Sequence, residues 1–274
     1  MKEGRKKGKI SNGPGTGRII IQERNMLELK NIRFEADGKQ ILKDVSLTLD
    51  DRFIAVTGPN GSGKSTLLKI IMGILQPTGG QILLDGEDIT GKSITERANG
   101  GISFAFQQPV RFKGLRVRDL LGLAGNREGS EAERFKRACN ILSEVGLCAQ
   151  DYINRELDAT LSGGEMKRIE IAMAAARGTR LTLFDEPEAG IDLWSFQSLI
   201  RVFERLHRET KGTILIISHQ ERILNIADKI IYLKDGEVLA YDEGWKIMQD
   251  LALDVRRENA GQAGPACARI REGV

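Results

Sequence analysis

Histidine, cysteine, proline and aromatic residues are all scarce in this chain: two His, three Cys, six Pro and 5% Phe, Trp and Tyr among 274 residues. The scarcity of cysteine and histidine excludes the most. Cys139, Cys148 and Cys267 form no Cys-x-x-Cys pair and show no metal-type spacing, and the two histidines do not make up the deficit, so a structural zinc site is not expected. An odd number of scattered thiols fits a reducing compartment rather than a disulfide framework. No apolar run approaches the ~18–20 residues that a membrane span needs. The basic start lacks an apolar core segment, so a secretory signal is not expected either.

What is present is an ordinary globular composition, 41% hydrophobic and 29% charged, with 41 Lys and Arg against 38 Asp and Glu. Folding at this length buries roughly three-quarters of the chain's surface, enough for one large domain or two unequal lobes. The charge is uneven. Residues 1–24 carry a net +5, while the other 250 residues carry −2. Residues 1–25 therefore read as a flexible basic arm, either a solvated leader or a tether for nucleic acid or anionic lipid; a run this short reads as the leader, so a nucleic-acid partner is not expected. Residues 254–274, with Gly261, Gly264 and Pro265, read as a loose tail, leaving an ordered domain over 26–253.

Within that domain, Leu27–Phe34, Leu42–Leu49 and Phe53–Thr57 read as strands separated by Asp and Gly clusters. Thr66–Leu75 reads as a helix. Residues 115–180 read as helical, with Phe135, Ala138, Cys139, Leu142 and Val145 at helix spacing and Gly146 as terminator. Beyond 180, strands at Leu181–Phe184, Thr213–Ile217 and Ile230–Leu233 alternate with helices at Trp194–Glu209 and Arg222–Ala227. That alternation predicts an α/β fold with a largely parallel sheet, into which a helical lobe over about 108–180 is inserted.

Three constellations carry chemistry. The first is Gly58-Pro59-Asn60-Gly61-Ser62-Gly63-Lys64-Ser65-Thr66, between a strand and a helix. Polyphosphate needs a concave ring of backbone N–H groups, and the glycines let the chain wrap it at a positive helix N-terminus. Lys64 would reach the β- and γ-phosphates, Ser65 would bind Mg²⁺, and Thr66 would support the neighbouring phosphate. The second is Leu181-Thr182-Leu183-Phe184-Asp185-Glu186, where a strand delivers Asp185 toward Mg²⁺ and Glu186 toward an attacking water. The third, Leu161-Ser162-Gly163-Gly164-Glu165, is either a second anion-binding nest or a helix N-cap.

In this order the three motifs resemble the nucleotide-binding cassette of the ABC ATPase superfamily, over about residues 27–245. The resemblance implies a P-loop NTPase core of ABC-cassette type with an N-terminal antiparallel β subdomain and an inserted α-helical subdomain. It implies an ATPase using ATP and Mg²⁺, and a homodimer formed on ATP in which Ser162, Gly163 and Gly164 complete the partner copy's nucleotide site. Glu165 stands where many members have Gln. By the same resemblance Gln107 matches the Q-loop glutamine (Gln108 if the register slips by one), Asp192 lies in the D-loop, His219 matches the switch histidine, and Phe34 takes the place of the aromatic that stacks on adenine.

Within the superfamily, Gly100–Val110, Ser162–Arg168 and Ser218–Leu224 are similar to the Suf-type iron–sulfur cluster assembly ATPases (SufC-like), although Pro187 is common in transporter cassettes. This implies a cytoplasmic ATPase driving a SufB/SufD-like scaffold docked near Gln107, with Phe106, Pro109, Val110, Phe112 and Leu115 as anchors. The alternative is the nucleotide-binding subunit of an ABC membrane transporter, peripheral to the membrane and docked on a permease.

Overall fold

The computed structural model describes residues 27–108, 112–124, 129–158 and 160–250. The expected basic arm and C-terminal tail, Cys267, and the Pro109–Val110 pair lie outside them, as do the side chains of Phe112 and Lys113. The chain begins with β1 (Leu27–Ala36), β2 (Lys39–Leu49), β3 (Phe53–Thr57) and α1 (Lys64–Met72). There follow β4 (Gly79–Leu84), β5 (Glu87–Asp88), α2 (Ile94–Asn99) and β6 (Ile102–Ala105). A mostly helical stretch then contains β7 (Phe112–Arg116), α3 (Val117–Ala124), α4 (Glu131–Glu144), α5 (Ala149–Tyr152), β8 (Glu156–Leu157) and α6 (Gly163–Ala176). The last part comprises β9 (Leu181–Asp185), α7 (Leu193–Glu209), β10 (Thr213–Ile217), α8 (Glu221–Leu224), β11 (Lys229–Lys234) and β12 (Glu237–Glu243).

Two sheets organise these elements. One is antiparallel, in the order β2-β1-β4-β5; the other runs β12-β11-β3-β10-β9-β6, parallel except for β12. The inner strands β3, β9 and β10 are buried at every residue, as expected for a parallel sheet covered on both faces. Because side chains alternate along a strand, each strand feeds two cores. Ile54 and Val56 join α1 and the antiparallel sheet; Phe53 and Ala55 join the side built from α3, α4, α6 and α7. There Phe203 meets Phe53 and Phe184 edge-on, at centroid distances of 6.2 and 5.2 Å.

The helix ends follow local chemistry. Ser93 and Ser130 each form a reciprocal capping box with a glutamate three residues on, starting α2 and α4. Gly73, at φ +83°, caps α1 after Met72, three residues before the expected Leu75. Five features were not anticipated: the β4–β5 hairpin, α2, β6, the β7–β8 ribbon inside the helical stretch, and the edge strand β12. Among the described residues no helix is long and apolar enough to cross a membrane.

Candidate nucleotide site

Strands β3, β10, β9 and β6 are parallel neighbours, so the loops after them leave at one edge of the sheet. Ligands of open α/β sheets bind at that carboxyl edge. The loop after β3 is Gly58–Gly63; after β6 comes Phe106-Gln107; β9 ends in Asp185 and Glu186; β10 leads to Ser218 and His219. Four segments far apart in sequence thus converge through topology alone.

The glycine loop is held tightly. A Cβ on Gly58, which sits at φ +139°, would lie 1.9 Å from the Leu233 carbonyl oxygen of β11, so no other residue fits. Lys64 opens α1, only 5% exposed, and its Nζ donates to the carbonyls of Gly58 and Pro59 at 2.9 Å each. Burial lowers its pKa, opposed by the nearby Glu186 and Asp185 carboxylates. The Ser62 hydroxyl is buried with no protein partner, a polar atom left over for a ligand.

Ser65 Oγ donates to Asp185 Oδ1 at 2.8 Å, which joins the first motif to the second. Burial raises the Asp185 pKa, and the Ser65 hydrogen bond opposes this. Glu186 follows with φ +45°, a left-handed conformation costing a non-glycine residue about 1–3 kcal/mol. The turn is fixed by two main-chain bonds, Glu186 N–H to Ile217 C=O at 3.2 Å and Ala189 N–H to Glu186 C=O at 3.0 Å. Its carboxylate accepts from Gln107 Nε2 at 2.8 Å and lies 3.7 Å from His219 Nε2. Burial and the Lys64 charge lower the His219 pKa, Glu186 opposing, so the ring is neutral at neutral pH.

Ser65, Asp185 and Gln107 offer oxygen donors only, with a single carboxylate. That set suits Mg²⁺, which favours hard oxygen ligands and keeps several waters. Among the described residues no cluster of three His, Cys, Asp or Glu is built to cage a metal by itself.

Beside these groups lies a hollow of 670 Å³ walled by Asn60, Gly61, Gly63, Lys64, Ser65, Thr66, Gln107 and Glu186. Its other walls, Lys39, Gln40, Ile41 and Lys43 from the β1–β2 hairpin and Asp235-Gly236 from the β11–β12 turn, were missed from sequence. The Asp-Gly pair is a legible turn signal, but only the pairing of β11 with β3 brings it to the loop. Phe34 is not among the wall residues; it packs half-buried against the core beneath the antiparallel sheet.

Ser162, Gly163 and Gly164 are likewise absent from this hollow. They start α6, where Ser162 and Glu165 form a capping box: Ser162 N–H donates to Glu165 Oε2 at 2.7 Å and Glu165 N–H to Ser162 Oγ at 3.3 Å. The Tyr152 hydroxyl also donates to Glu165. Asp192 caps α7, its Oδ1 accepting from Ser195 N–H at 3.0 Å. Glu188, not singled out from sequence, accepts from the Ser218 hydroxyl and, at 3.4 Å, from His219 N–H.

A family model for ABC transporters matches residues 42–189, which span both the glycine loop and Asp185-Glu186. The chain belongs to the ABC transporter family. An ABC transporter ATP-binding protein of Methanocaldococcus jannaschii is 40% identical over 226 residues, covering 78% of this chain and 87% of that one. A probable ATP-dependent transporter of Cyanophora paradoxa is 33% identical, covering 81% and 90%. A spermidine/putrescine import ATP-binding protein of Mesoplasma florum is 33% identical, covering 79% and 61%. Among solved structures, a dimeric ATP-binding cassette bound to ADP and Pi superposes with a TM-score of 0.70 at 29% identity, covering 79% of this chain and 98% of that one. The chain is thus an ATP-hydrolysing ABC cassette of the P-loop α/β fold.

Proposed function

We propose that this cassette is the nucleotide-driven subunit of a transporter complex, closing as a two-fold dimer on ATP and acting on a permease docked beside Gln107. One observation carries the reading. Gln107 touches Glu186 at 2.8 Å, while its neighbour Phe106, 42% exposed, walls an apolar groove of 500 Å³ with Phe104, Ile94 and Leu123. A docked element and the hydrolytic carboxylate therefore meet through two consecutive residues, and such coupling is reciprocal: docking changes nucleotide affinity by the factor that nucleotide changes docking. The transporter names of the relatives favour a permease as the docked partner.

In this reading Lys64 neutralises the β- and γ-phosphates, and the loop N–H groups and Ser62 cradle them. Ser65, Asp185 and Gln107 hold Mg²⁺, which when bound neutralises charge on the phosphate oxygens. Glu186 orients the attacking water and accepts its proton, and His219 steadies the transferred phosphoryl group; the adenine-stacking role of Phe34 would need its ring to turn from the core it packs on toward the hollow. Ser162, Gly163, Gly164 and Asp192 act across the dimer interface, which is consistent with Ser162–Gly164 standing apart from their own chain's hollow. The dimeric architecture of the solved relatives supports this arrangement.

A second reading keeps the same ATPase and changes the partner. Gln220 directly after His219, together with the Gly100–Val110 segment, favours a soluble SufB/SufD-like scaffold of iron–sulfur assembly. Copurification from the source cell, with ATPase rates measured with and without the captured protein, decides between them. A stimulating membrane permease supports the first reading and a stimulating soluble scaffold the second. Partners that leave turnover unchanged would overturn both.

A further inference from the structure

Helix α6 starts at the Ser162–Gly164 segment, and one turn further on it carries a buried ion pair that the ATPase chemistry leaves unused. Lys167, 3% exposed, and Glu170 stand at i and i+3, 3.3 Å apart. The pair does not merely neutralise itself. Lys167 Nζ donates to the main-chain carbonyl of Phe106, and Glu170 Oε1 accepts from the Phe106 main-chain N–H at 2.9 Å. Both backbone polar groups of Phe106 are therefore held by one helix. Phe106 follows the end of β6, where no strand partner remains to fix it, and the next residue is Gln107.

We infer that Lys167 and Glu170 are positioning residues that grip the main chain of Phe106 and thereby set Gln107 against Glu186, tying the hydrolytic carboxylate to the helix that bears Ser162–Gly164. The polarity requires both members, since a donor must face the carbonyl and an acceptor must face the N–H. Burial raises the Glu170 pKa, but the Lys167 charge and the Phe106 N–H both favour its ionised form. Any tilt of α6 moves Phe106 with it, and the Gln107–Glu186 hydrogen bond then lengthens or breaks. Engagement of the Ser162–Gly164 end by nucleotide thus reports to Glu186 through the grip on Phe106 and the Gln107–Glu186 hydrogen bond.

The inference rests on Gln107 serving the hydrolytic site, so the experiment includes that residue. Replacing the whole pair, Lys167→Met with Glu170→Leu, removes both charges together and is often neutral or stabilising for a fold. In this double variant we expect kcat to fall about 10- to 100-fold, as a misplaced positioning group can cause. KM and the melting temperature should stay near wild type. Glu170→Gln keeps an acceptor for the Phe106 N–H and should retain at least about half of kcat. In a Gln107→Ala background the pair replacement should have no further effect, because its action passes through Gln107. Additive losses, or an unchanged kcat in the double variant, would overturn the inference. If the double variant does not fold, Glu170→Ala in both backgrounds reads the same non-additivity. A Gln107→Ala protein with normal kcat would instead remove the premise about Gln107.

Discussion

Replacing Lys64 with methionine should separate nucleotide binding from fold stability. Lys64 is 5% exposed, and its ammonium makes two 2.9 Å bonds to loop carbonyls. Taking an ion out of water costs several kcal/mol, while hydrogen bonds from a charged donor return about 1.5–3 kcal/mol each. Methionine keeps the aliphatic stem and loses both terms, so the free protein should change by only about 1 kcal/mol in either direction. At this size that is about 2–4 °C in melting temperature. Binding behaves differently, because the phosphates lose a charged donor worth about 1.5–3 kcal/mol, which weakens ATP about 10- to 150-fold. With ATP at 100 times the wild-type Kd, wild type gains about 2.7 kcal/mol, or about 5–11 °C. A variant weakened 100-fold gains about 0.4 kcal/mol, roughly 1 °C. Thermal melts of Lys64→Met with and without Mg-ATP read both effects. An equal ATP-induced rise in the two proteins would refute the role given to Lys64.

Other outcomes follow from the same geometry. Glu186→Gln keeps the shape beside Gln107 but removes the base, so single-turnover hydrolysis should fall about 10²- to 10⁴-fold while ATP binding persists. Phe203→Ala empties the space between Phe53 and Phe184 and should cost about 3–5 kcal/mol by denaturant unfolding. The lowered His219 pKa means the imidazolium forms only as pH drops below the usual 6.5. The pH profile of kcat should therefore be flat near neutrality and fall on the acid side, and His219→Ala should change the position of that limb while the limb set by the base Glu186 remains.

Much of the fold was legible because its decisive elements carry their own signals. The buried strands Phe53–Thr57 and Thr213–Ile217 are unbroken β-rich runs, and their observed bounds coincide with the expected ones. The glycine loop declares itself through the backbone conformations it needs, as Gly58 shows. The β7–β8 ribbon was hidden because Glu156–Leu157 is too short to show a period of two. Strand β6 was missed because four residues, Ile102–Ala105, resemble any apolar run beside a helix. The Lys39–Lys43 wall and the grip of Lys167 and Glu170 on Phe106 depend on which strands become neighbours. The grip joins residues more than 60 positions apart, and no local pattern records it.

In the proposed dimer two copies of the chain close on ATP, with the Ser162–Gly164 segment of each completing the other's site. Light scattering of Glu186→Gln with ATP, with ADP and without nucleotide tests this most directly, with Ser162→Arg added as a second substitution for comparison. A dimer is expected in ATP, monomers in ADP or without nucleotide, and monomers throughout once Ser162→Arg is introduced. A Glu186→Gln protein that stays monomeric in saturating ATP, beside wild type whose turnover per chain is independent of concentration, would contradict it.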